Sequence, residues 1–130
     1  MAAIKIKLNV ESAGLLSSPI KLLESDSIVT TGVVQRIAKT ITAVNGSSVV
    51  LLAKADFSDS DDQVLAVVKN TGGTHDLILE AGANVEIIKL KPGQFAMFPW
   101  YHDDSDGQDL KAYASNSDGT TVEATAIEIT

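Results

Sequence analysis

The chain has 130 residues, enough for one domain and too few for two that each bury a useful core. It is 45% hydrophobic but only 5% aromatic, so its core must be aliphatic; with 17 acidic against 10 basic residues, the formal net charge is -7. That charge repels nucleic acid and anionic lipid, and the lack of cysteine excludes disulfides, thiolate nucleophiles and cysteine-ligated metals.

The first segment carries the plainest pattern. Ile4, Ile6, Leu8 and Val10 alternate with Lys5, Lys7, Asn9 and Glu11, which predicts a strand with one face buried and one wet. The same alternation rules out the continuous apolar core of a signal peptide, and no apolar run reaches the ~20 residues of a membrane span. A soluble protein made in a cytoplasm is expected. Gly14 to Pro19 reads as a loop, Ile20 to Leu23 as a short apolar patch, and Ser25 to Ser27 as another loop.

Ile28 to Val44 fits two templates. Val33, Ile37, Ile41 and Val44 suit one face of a helix, whereas Thr30, Thr31, Thr40 and Thr42, with Gly32 among them, favour a strand. The β-branched density favours a strand, with a helix over residues 33–44 as the open alternative. After the Asn45-Gly46 turn, Val49 to Ala53 is a continuous apolar run, as in a strand covered on both faces. Asp56 to Asp62 is an acidic loop, and Val64 to Val68 a second buried strand closed by the turn Asn70 to Gly73. Leu77 to Leu79, Val85 to Leu90, Gln94 to Phe98 and Leu110 to Ala114 follow as strands, separated by the turns Ala81 to Asn84 and Pro92-Gly93. Val122, Ala124 and Ala126 share one parity, while Ile127 and Ile129 take the other. That slip predicts a β-bulge near Ala126 or a strand passing between packing surfaces. Together these segments predict a single all-β domain over 1–130, an antiparallel β-sandwich or jelly-roll-like fold of about eight short strands.

Chemistry is sparse. Asp56, Asp59, Asp61 and Asp62 crowd one loop, and Asp103, Asp104, Asp106 and Asp109 another. Asp104-Ser105-Asp106-Gly107 resembles the middle of a calcium loop, but the first and twelfth positions fall on His102 and Tyr113, so the ligand set fails at both ends. No metal is expected. His75 and His102 are the only histidines, each followed directly by an aspartate that a strand would turn to the opposite face. No nucleophile elbow, phosphate loop or dinucleotide fingerprint is present, so neither a cofactor nor catalysis is expected. The large side chains gather at Phe95, Met97, Phe98, Pro99, Trp100 and Tyr101. Parity lets Phe95 and Met97 face the core, leaving Phe98, Trp100 and Tyr101 as a contact rim or a sugar platform.

Three stretches bear a family likeness: Val67-Val68-Lys69-Asn70-Thr71-Gly72, His75-Asp76-Leu77-Ile78-Leu79, and Leu90-Lys91-Pro92-Gly93-Gln94-Phe95-Ala96-Met97. With the closing segments Leu110 to Ser115 and Val122 to Ile129, they resemble small β-sandwich virion proteins of tailed bacteriophages, over roughly Val64 to the C-terminus. Gln94 stands where that pattern has an acid. The resemblance implies a capsid cement or decoration protein located in the virion, non-enzymatic, binding the major capsid protein or copies of itself as a homo-oligomer. A neck or tail component, or a carbohydrate-binding module using Trp100 and Tyr101, is the alternative. Two partner-binding surfaces are expected: the N-terminal strand, residues 1–11, through Ile4, Lys5, Ile6 and Lys7, and the rim of Phe98, Trp100 and Tyr101.

Overall fold

A computed structural model of the chain describes residues 2–12, 20–57, 63–82, 84–100 and 108–129, with side chains in the first ribbon described only at Lys7. Among the described residues there are nine strands: β1 (Ala2–Ser12), β2 (Ile20–Ile41), β3 (Val49–Leu52), β4 (Gln63–Asn70), β5 (Leu77–Ala81), β6 (Val85–Leu90), β7 (Phe95–Trp100), β8 (Leu110–Ala114) and β9 (Thr120–Ile129). The 3₁₀ turn Lys54–Asp56 is the sole helical element among the described residues. The chain divides into two compact units, Met1–Thr31 and Gly32–Thr130.

The first unit is a two-stranded antiparallel ribbon. β1 pairs with the start of β2 from Ala2 opposite Thr30 to Ser12 opposite Ile20, without a register shift. Ser25 to Ser27, expected as a loop, therefore lies inside a strand. Polarity misled here, because a two-stranded ribbon can present polar positions to solvent along its whole length.

The second unit is the β-sandwich expected from the sequence. One sheet of it runs β2-β9-β4-β7, and the other runs β3-β8-β5-β6. The connectivity is nested: β5 pairs with β6, β4 with β7, β3 with β8, and β2 lies beside β9. A long antiparallel hairpin rolled over itself produces this order, with β4 also pairing β9 and β5 also pairing β8 across the roll. That is a jelly roll. Ile28 to Val44, which fitted either template, is strand as far as Ile41.

Alternation sets the core. Val64, Ala66 and Val68 of β4, Val122, Ala124 and Ala126 of β9, and Leu77 and Leu79 of β5 all point between the sheets and are buried, joined by Leu52, Leu110, Ala112 and Ala114. Small residues on the first sheet facing leucines on the second let the layers interdigitate, each buried leucine adding about 2 kcal/mol. Two expectations change. In β3, Leu51 and Leu52 are buried but Val49 and Val50 are 39% exposed, because β3 is a sheet edge and only its far end is covered. β9 keeps an unbroken register against β4 from Val122 opposite Asn70 to Ile129 opposite Gln63, so no bulge interrupts that ladder. The parity slip arises because Ile127 is buried on the face away from the core.

Candidate functional site: an apolar sheet face

β7 is the edge strand of the first sheet, and its parity is opposite to that expected. Ala96 and Phe98 pack on the core and Trp100 is buried within it, edge-on to Phe57 with ring centroids 5.6 Å apart, while Phe95 is 62% exposed and Met97 42%. β7 contains no polar residue, so alternation alone could not say which set faces inward. The core decided it, since β7 crosses β4 where Ala66 leaves room for a large neighbour opposite Phe98. Trp100, buried to 3%, offers no platform for a sugar. Tyr101, the third member of the expected rim, lies outside the described residues, as does His102.

The outward residues of β7, β4 and β9 form a register-defined grid. Phe95 lies opposite Lys69 and then Glu123; Met97 opposite Val67 and then Thr125; Pro99 opposite Leu65 and then Ile127. Val67 and Leu65 are half-buried, Pro99 is exposed, and Ile127 is covered. On β2, the outward Val34 is 56% exposed beside exposed Arg36. An apolar field thus spreads over the outer face of β7 and β4, with Lys69, Glu123 and Thr125 at its margin. Contiguous exposed apolar surface of this kind is a candidate binding surface. Sequence reasoning missed Leu65 and Val67 because a strand that is apolar at every position reads as doubly buried.

The other sequence candidates have structural duties. Asp109 Oδ1 accepts a hydrogen bond from the backbone N–H of Lys54 at 2.9 Å, anchoring the 3₁₀ turn, and Asp56 is exposed. The remaining loop acids, Asp59, Asp61, Asp62, Asp103, Asp104 and Asp106, lie outside the described residues. His75 gives its carbonyl to Asn70 Nδ2, and the half-buried Asp76 holds an ion pair with exposed Lys89 at 3.2 Å. An open polar crevice, lined in part by Thr40, Gly73, Thr74, His75 and Asp118, sits where the β4–β5 and β8–β9 turns meet the end of β2. Among the described residues no helix is long and apolar enough to cross a membrane, and no group of three or more metal-ligating side chains occurs. Of the expected N-terminal contact residues, Ile4, Lys5, Ile6 and Lys7 all lie in β1, with Lys7 exposed.

No protein-family model matches the chain, and no curated protein matches it either.

Proposed function

We propose that the chain is a bacteriophage virion structural protein of the capsid cement or decoration type, which stabilises the head shell by binding the major capsid protein. The observation that carries this reading is the apolar outer face built on Phe95, Met97, Pro99, Val67 and Leu65, presented on one sheet of a jelly roll. A cement protein needs a rigid surface that docks face-on to a repeated partner, and binding only the assembled state adds stability by mass action. The jelly roll is one of the architectures viral shells use, which supports the reading at the level of fold alone. The resemblance of Val64 onward to small virion proteins points the same way.

Mass spectrometry of purified virions is the direct test. Cement predicts copies on the order of hundreds per particle, a neck or tail ring about a dozen, and absence sinks the reading. The face has its own test in Phe95→Asp combined with Met97→Asp. Both side chains are exposed, so thermal stability should stay within about 2 °C of wild type, while retention on shells falls ~30-fold or more. Undiminished retention would remove the face from the interface.

A further inference from the structure

A sheet edge is a row of unpaired backbone donors and acceptors, and proteins that stay apart disable such rows. Among the described strands four are edges: β1 in the N-terminal ribbon, and β7, β3 and β6 in the sandwich. Three of them are disabled. β7 contains Pro99, which has no N–H to offer an incoming strand. β6 is broken by a register shift opposite Leu79 and Glu80. β3 is four residues long, shifts register between Val50 and Leu52, and has its Val50 carbonyl already occupied by Lys39 Nζ at 2.7 Å.

β1 is the exception. It has 11 residues in unbroken register with β2 on one side, contains no proline or bulge, and no described strand pairs with its other side. A two-stranded ribbon is marginally stable in water by itself. We infer that the free edge of β1 pairs antiparallel with β1 of a second copy of the chain, about a two-fold axis at Leu8.

Charge selects both the place and the register. Residues 1–31 hold Lys5, Lys7 and Lys21 against Glu11, Glu24 and Asp26 and are neutral, whereas the remaining 7 basic and 14 acidic residues carry the whole net charge of -7. Two copies approaching through the ribbon therefore meet the least mutual repulsion. Within β1 the lysines forbid most symmetric alignments. Pairing about Ile6 sets Lys5 against Lys7, and pairing about Lys7 sets that lysine against itself. Pairing about Leu8 sets Lys5 against Glu11, Ile6 against Val10 and Lys7 against Asn9, over Ile4 to Ser12; pairing about Asn9 overlaps less. A slip by an odd number of residues puts apolar positions opposite polar ones. The lysines that guard this edge against other strands thus admit a copy of the same strand.

The inference deepens the assembly reading and rests on it only in treating the chain as one that associates; self-association is measured without any shell, so either can fail alone. The test is sedimentation equilibrium of the full chain. Wild type should be a dimer. Lys5→Glu and Glu11→Lys should each weaken dimerisation about tenfold, because each turns two symmetry-related attractions into repulsions. The combined swap, Lys5→Glu with Glu11→Lys, should restore wild-type association. Circular dichroism and melting of each variant report whether its fold is intact. A wild-type chain that stays monomeric at ~100 μM overturns the proposal. So does a dimer indifferent to both single substitutions, or one that the swap fails to restore.

Discussion

Asn70 uses the full hydrogen-bonding capacity of its side chain in a wholly buried site. Nδ2 donates to the carbonyls of His75 and Leu90 at 2.9 and 3.0 Å, and Oδ1 accepts from Gly72 N–H at 3.1 Å and the Thr120 hydroxyl at 2.6 Å. Its backbone adds bonds to Gln94 and Gly93, so one residue joins β4, the start of β5, the end of β6 and the start of β9. Gly72 has to be glycine beneath this knot, since a Cβ there would sit 2.0 Å from Thr120 Oγ1. Asn70→Ala should cost about 3 kcal/mol, because it strands several buried groups at once. Asn70→Asp should cost at least as much: a carboxylate keeps the two accepted bonds but turns an oxygen toward two carbonyls. Urea denaturation of both variants checks this, and a loss below about 1 kcal/mol would mean the knot opens to water at little cost. The sequence marks Asn70 only as the first residue of a turn. Nothing local separates a turn asparagine in solvent from one bonded to Thr120, 50 residues away, so the hub was not legible.

Elements were legible where their two faces differ and ambiguous where they do not. β4 to β9 were readable because glycine, proline and asparagine turns bracket short apolar runs; at Gly119 the backbone takes φ +84° and an added Cβ would lie 2.6 Å from the Ile41 carbonyl. The facing of β7 was hidden because both of its parities are apolar, and with it went the location of the exposed aromatic. The outer face of β3-β8-β5-β6 was hidden too, since it contains a tie between strands that are not neighbours. Tyr113 on β8 reaches over β5 to donate its hydroxyl to Glu86 Oε1 on β6, with Ile78 and Glu80 buried in the same sheet face. That hydrogen bond, then burial, then the charges of Glu86 and Glu80, raise the phenol to about 12. The unfolded chain sheds this proton near 10 and the folded chain holds it to about 12, so the folded state binds more protons in between. The stabilisation is fully present below pH 10 and is lost as pH rises toward 12. Glu86→Gln removes the charge that holds the proton, so the phenolate absorbance step should move down toward 10, with Tyr113→Phe identifying its contribution. Stability should also fall less steeply over that window. An unmoved step would show that burial alone protects the phenol.

At the scale of the whole molecule, nested pairing dictates an order of assembly. β5 and β6 are joined by a tight turn and close the smallest loop, whereas β2 and β9 close nearly the whole second unit, bringing Ile41 beside Gly119. Loop-closure entropy rises with the chain enclosed, so the inner hairpin should form before the outer pair, and a roll dominated by distant contacts should refold in milliseconds to seconds rather than microseconds. The single tryptophan suits the measurement, because Trp100 is buried to 3% against Phe57 and its emission will change on folding. Leu79→Ala in β5 and Ile41→Ala in β2 each empty a wholly buried site and should destabilise by about 2–4 kcal/mol. Their kinetic effects should differ. Leu79→Ala should appear mainly as slower refolding, because its contacts are made early, and Ile41→Ala mainly as faster unfolding, because the outer pair closes last. Stopped-flow fluorescence over a range of urea concentrations separates the two limbs. If Ile41→Ala slows refolding as much as Leu79→Ala, the roll closes from its ends, and the long β2–β9 pairing is formed at the barrier.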